Sequence, residues 1–164
     1  MSESYVECLV ARKQSGGWNA LKVFLTVLMV ICIIGGMVFY PILLLALAAG
    51  VGAYFVAQRA NVEYEYLYVD KEVTVDKIMN KTKRKKAESF DLDSVEIFAP
   101  IKSWHLDGKQ NGNYKVTDYS SGVEEKPDKR YVMIYKGGRK IIFEPSVAMV
   151  KAMQNVAPRK VFLD

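Results

Sequence analysis

The chain has 164 residues, 51% of them hydrophobic, and 23 Lys and Arg against 18 Asp and Glu, for a formal net charge of +5. That length admits one modest domain besides any membrane segment, and so mild a positive balance gives no electrostatic footprint for nucleic acid. Two cysteines, Cys8 and Cys32, and a single histidine, His105, exclude a disulfide framework and a clustered Cys/His metal centre.

In the first segment, Ser4–Lys13, helical spacing would put Tyr5, Val6, Leu9 and Val10 on one side, ahead of Arg12-Lys13. This is a short amphipathic stretch able to lie at a membrane interface, within a cytoplasmic N-terminal segment 1–18. A strand added to a sheet edge, or disorder, are the competing readings.

From Val23 to Gln58 there is no charged residue. As one helix this run would be about 54 Å long, against a hydrocarbon core of about 30 Å. Two spans fit better, about Asn19–Val38 and Pro41–Gln58, forming a transmembrane hairpin over 19–58. Gly35-Gly36 and Phe39-Tyr40-Pro41 mark the reversal, since glycine tolerates a turn and proline opens a helix without needing its N–H. Trp18, Phe39, Tyr40, Tyr54 and Phe55 fall at depths where amphipathic rings settle among headgroups. Arg12, Lys13, Lys22 and Arg59 flank the outer ends while the tip has no cation, so both termini are expected in the cytoplasm, with the protein in the cell membrane. A cleaved signal peptide is the rival reading, with Ala46-Leu47-Ala48 as its small-residue site. However, the apolar stretch before it runs about 25 residues, beyond the ~7–15 of a signal peptide's apolar core. With no ionisable side chain, the spans lack the usual parts of a proton relay or an ion pathway. In the second span Ala46/Gly50 and Ala49/Ala53/Ala57 follow small-xxx-small spacing, which lets helix backbones approach, either within the hairpin or between copies.

Beyond Gln58 the composition changes. All but three of the Lys and Arg and all but two of the Asp and Glu lie from Arg59 onward, in an expected cytoplasmic domain 59–164. Val62–Val69 reads as a strand, Asp70-Lys71-Glu72 as a turn, and Val73–Met79 as the returning strand. A turn at Asn80-Lys81-Thr82 leads to a third strand, Lys85–Asp91. Val95–Phe98 is a short strand or a helical turn before Pro100. Residues 102–130 form the most irregular stretch, with a candidate strand at Tyr114–Tyr119. Tyr131–Tyr135 and Lys140–Glu144 make a hairpin around Gly137-Gly138. Ser146 caps a helix running to about Val156, whose methionines read as core filler. Six or seven strands followed by one helix suggest a sheet that curls and is closed by that helix.

Four segments carry a wider likeness: Tyr5–Lys13, Glu63–Tyr66, Asp118–Gly122 and Ile142–Pro145. On these residues the chain resembles an uncharacterised clostridial family of small two-span membrane proteins with a pleckstrin-homology-like (PH-like) cytoplasmic domain. The resemblance implies an α+β membrane protein: an N-terminal two-helix transmembrane hairpin, then a β-rich, PH-like, partly open barrel of six to seven strands with a C-terminal helix. It brings no activity and no cofactor.

Lys81, Lys83, Arg84, Lys85 and Lys86 put five cations into six residues. The first strand leaves the second span over about 8 residues, roughly 26 Å at ~3.3 Å each, and the second strand returns. The turn at 80–86 therefore lands near the membrane surface, where each cation can gain about 1 kcal/mol from anionic lipid. A solvated turn whose charges blunt a strand edge is the equal alternative. Trp104 is expected to anchor the long loop, with lipid contact as its other reading, while His105 makes an ordinary hydrogen bond. No nucleophile elbow, Cys/His pair, glycine-rich phosphate loop or HExxH is present. Asp91, Asp93, Asp118 and Glu144 are the residual carboxylates on which catalysis would have to rest. The sequence thus points to a non-enzymatic, membrane-anchored binding module that engages anionic lipid or a protein partner. An accessory subunit of a larger membrane complex is the alternative; oligomeric state is open.

Overall fold

A computed structural model describes residues 5–109, 111–124 and 129–164. The chain divides into two compact units. One comprises Gln14–Val62 and Ile78–Lys83; the other takes in the residues up to Lys13, Glu63–Lys77 and Arg84–Asp164.

The first unit is a helical hairpin, α1 (Gly16–Gly36) and α2 (Ile42–Ala60). At ~1.5 Å per residue these are about 31 and 28 Å long. Both are long and apolar enough to cross a membrane by length and composition, and little of either is buried. The bounds lie one to three residues from those expected. Gly35-Gly36 is not the reversal: it ends α1, and the turn is made by Met37–Pro41, with Val38 N–H on Gly35 O (3.1 Å) and Ile42 N–H on Phe39 O (3.1 Å). Gly36 serves close approach instead, since a Cβ there would sit 2.5 Å from Leu43 Cδ2. Higher up, the space at Gly50 is filled by Met29 Sδ. The small residues Ala46 and Ala49 are buried together with Cys32, so the small-residue stripe of α2 packs within the hairpin. Outward-facing Phe24, Ile31, Ile34, Leu44, Leu47 and Phe55 are each 60–72% exposed.

In the second unit the N-terminal segment is a strand, β1 (Val6–Ala11), and the interfacial-helix reading is corrected. It pairs antiparallel with β2 (Val62–Val69) from Val6 opposite Tyr68 to Ala11 opposite Glu63. Val10 is buried and Leu9 exposed, the alternation of an edge strand. The expected self-contained domain 59–164 therefore needs amending: the helical hairpin is spliced into the connection between two paired strands. β3 (Glu72–Met79) and β4 (Lys83–Asp91) complete a sheet of order β1-β2-β3-β4. Asp70, Lys71, Asn80 and Lys81 have φ between 46° and 68°, as two-residue hairpin turns of matching twist require.

A second sheet has the order β5-β7-β8-β6, from β5 (Val95–Pro100), β6 (Lys115–Asp118), β7 (Tyr131–Tyr135) and β8 (Arg139–Phe143). The eight strands among the described residues exceed the expected six or seven by β1, and they form two four-stranded sheets instead of one curled sheet. One face of the second sheet joins Phe98, Met133 and Phe143 to the aromatic core around Tyr66 and Phe90. The opposite face buries Ile97, Ala99, Val132 and Ile134 under Leu106. The irregular stretch after Pro100 is thus a cover for that face. Helix α3 (Val147–Val156) is capped by Ser146 Oγ on Met149 N–H (3.3 Å) and buries Met149, Val150 and Met153, as core filler should.

Candidate functional site

At the base of the helical hairpin, three polar residues meet. Asn80, in the β3–β4 turn, donates its backbone N–H to Asn61 O (2.7 Å), immediately after α2. The Asn61 amide donates to Asn80 Oδ1 (3.3 Å) and accepts from Gln14, which precedes α1. The turn carrying Lys81, with Lys83 opening the strand that follows it, is thereby fixed where α1 begins and α2 ends. Arg59 lies two residues before Asn61. Lys22 is half-buried on the α1 stripe that continues through Leu25 and Met29, which meet Gly52 and Gly50 of α2. It therefore stands about one turn above Arg59. Lys22, Arg59, Lys81 and Lys83 share this unit with no Asp or Glu.

The basic cluster is not one turn. Lys83–Lys86 belong to strand β4, and their charges have different fates. Arg84 reaches across the sheet to the buried carboxylate of Glu65, with Asp76 3.9 Å away. Burial pushes the Glu65 carboxyl up, a hydrogen bond with Glu7 adds to that, and the Arg84 cation opposes it. Lys86 stands 3.9 Å from Glu72. Lys81, Lys83 and Lys85 are exposed and form no ion pair among the described residues. Sequence charge counting could not separate these two groups, because the partners Glu65, Asp76 and Glu72 lie on other strands.

In the β-rich unit, the four segments that carry the family likeness converge. Tyr66 Oη donates to Tyr119 O and accepts from Glu144 N–H (3.4 Å). Glu144 accepts from Ser121, both N–H (3.1 Å) and hydroxyl. Ser121 O receives Lys13 N–H (2.7 Å), and Arg12 donates to Tyr64 Oη (2.9 Å). Cys8 Sγ faces Glu144 O at 3.9 Å, and burial pushes its thiol up. This junction pins β1 and the chain just before α1 onto the second sheet. A bidentate pair, Glu88 with Arg139 (2.5 and 2.8 Å), ties β4 to β8, with Tyr119 Oη also on Glu88 (3.1 Å). Burial and this carboxylate push the Tyr119 phenol up to about 12.

Three of the four carboxylates considered for catalysis have local partners. Asp91 accepts from Asp93 N–H, Asp118 from Ser120 N–H and hydroxyl, and Glu144 from Ser121. Trp104 is not the buried anchor expected of it. Trp104 is 70% exposed, whereas His105 is held between Trp104 and Phe162 (ring centroids 3.7 and 3.8 Å), with Nε2 3.4 Å from Asp164 Oδ1. Leu106, buried against the second sheet, is the loop's anchor, and no signal in the sequence sets it above Trp104. No group of three or more His, Cys, Asp and Glu able to hold a metal occurs among the described residues.

No curated protein and no solved structure matches this chain. A family model described as a bacterial PH-like domain, DUF6106, matches residues 2–163, including the helical hairpin and β1. The chain belongs to this bacterial PH-like domain family.

Proposed function

We propose that the protein is a membrane-anchored, non-enzymatic binding module of the bacterial cell membrane. The hairpin crosses the bilayer twice with both termini in the cytoplasm, and the PH-like unit works at the inner leaflet. One observation carries the reading: α1 and α2 present large apolar side chains on their outward faces, and every cation of their unit lies toward one end. In water such a surface would be an aggregation site; in a bilayer it faces acyl chains, and the cations meet the anionic leaflet. Lys81, Lys83 and Lys85 are the members of the basic cluster left for lipid, while Arg84 and Lys86 serve the sheet. The internal pairing of Asp91, Asp118 and Glu144 supports a binding role over a catalytic one.

Hydrogen exchange of the full-length protein in neutral and anionic bilayers tests this. Amides of 79–85 are expected to exchange more slowly in anionic bilayers; equal rates in both would remove lipid engagement. The second reading is an accessory subunit of a membrane complex, favoured by the many large side chains the helices leave outward, such as Leu44 and Leu47. Co-purification of a stoichiometric membrane protein in mild detergent would decide for it.

A further inference from the structure

We infer that the base of the hairpin is a discrete binding site for the phosphate of one anionic phospholipid, and not only a diffuse positive surface. The inference rests on the membrane reading above and deepens it. A diffuse surface needs only net charge. Here the cations are held by parts with no charge of their own. Asn61 sits between Gln14 and Asn80, and its main-chain carbonyl receives the Asn80 N–H at 2.7 Å. Lys81 follows Asn80 within the same tight turn, where both residues have positive φ (50° and 56°). Thr82 N–H closes the turn on Met79 O (3.2 Å). Lys81 is thus presented from a fixed backbone beside the last turn of α2, which carries Arg59.

Lys22 contributes from the other helix. It is half-buried on the stripe of α1 that faces α2, with a stem long enough to carry its ammonium toward the helix ends. No carboxylate in the unit competes for these cations. Arg59 offers a planar fork suited to two phosphate oxygens, and the lysines act as point charges around it. A zwitterionic headgroup brings its own ammonium and gains less. Chemically the ligand is therefore a phosphate monoanion or dianion without a compensating amine, carried on a lipid whose chains lie along the apolar helices.

The test is native mass spectrometry of the full-length protein released from bilayers of mixed phosphatidylcholine and phosphatidylglycerol. The wild type is expected to retain one phosphatidylglycerol. Lys81→Gln/Lys83→Gln should bind it about 30-fold more weakly, as expected for two cations at about 1 kcal/mol each. Asn61→Ala leaves net charge unchanged and removes both side-chain bonds of the tie; it should weaken retention several-fold. Lys151→Gln, an exposed charge on α3, should retain the lipid as the wild type does. Equal losses in Lys151→Gln and in either site variant would overturn the inference in favour of diffuse charge. So would full retention in Asn61→Ala. Inorganic phosphate added to protein in neutral detergent distinguishes the source: if phosphate alone binds as tightly as the lipid, the site is not a lipid site. Alkaline extraction of membranes is run on all variants. Release of wild type and variants alike would refute the anchor itself, whereas retention with unaltered lipid binding would refute only the site.

Discussion

Because β1 pairs with β2 as far as Ala11 opposite Glu63, the residues on both sides of the helical hairpin belong to one sheet, which opposes a soluble domain made of the C-terminal residues alone. Two proteins separate the cases: residues 61–164 alone, and residues 1–13 joined to 61–164 by an Asn-Gly turn of the type that suits a two-residue hairpin. In the second, β1 buries Val10 fully and Val6 and Cys8 in part. That apolar burial is worth about 3–4 kcal/mol. The bonds from Arg12 to Tyr64 and from Lys13 to Ser121 add about 1–3 kcal/mol. The ladder bonds to β2 add to this and the cost of ordering the strand opposes it. A net of even about 2 kcal/mol is a large share of the ~5–15 kcal/mol that stabilises a domain. The joined protein should therefore unfold cooperatively in urea, while 61–164 should unfold at much lower denaturant or lack fixed tertiary structure by near-ultraviolet circular dichroism. Equal midpoints for the two would show that β1 is dispensable and that the domain is the C-terminal segment by itself.

Other outcomes follow from particular contacts. In the joined protein, Tyr66→Phe should cost about 1–3 kcal/mol, because Tyr66 Oη bridges Tyr119 and Glu144, whereas Tyr68→Phe should be neutral or stabilising, since Tyr68 Oη is buried without a partner among the described residues; thermal melts of the pair check this. Glu88 has its carboxyl held below the ordinary value by the hydrogen bond from Arg139. Its contribution is therefore complete above the ordinary carboxylate range and is lost as pH falls through the lowered folded value. Glu88→Gln should flatten the acid limb of the stability curve and lower stability near neutrality by about 1–3 kcal/mol. Gly36→Val should push the helices apart at Leu43 and make the full-length hairpin more susceptible to detergent unfolding, with no effect on the joined protein that lacks it.

Much of this architecture is legible in the sequence because its punctuation is local. The turns at Asp70-Lys71, Asn80-Lys81 and Gly137-Gly138 occur where left-handed backbone is needed, and the charge-free run sets the helices to within a few residues. What was not legible depends on distant partners. Tyr5–Lys13 satisfies helical and strand spacing alike, and only β2 decides between them. Arg84 looks like its neighbouring lysines until Glu65 and Asp76 are brought beside it. Trp104 is the larger apolar residue, yet the covered face of the second sheet takes Leu106, and the stack with Phe162 takes His105. The base of the hairpin was half legible: strand lengths return the turn to the helix ends, but the tie through Gln14, Asn61 and Asn80 has no sequence signature.

The central claim, a hairpin crossing the membrane with both ends inside, is tested most directly by thiol labelling in intact cells. In a background of Cys8→Ser and Cys32→Ala, single variants Tyr40→Cys at the tip and Lys85→Cys in β4 are exposed to a membrane-impermeant maleimide. Tyr40→Cys should label in intact cells and Lys85→Cys only after lysis. Labelling of Lys85→Cys from outside, or recovery of the protein in the soluble fraction, would contradict the account.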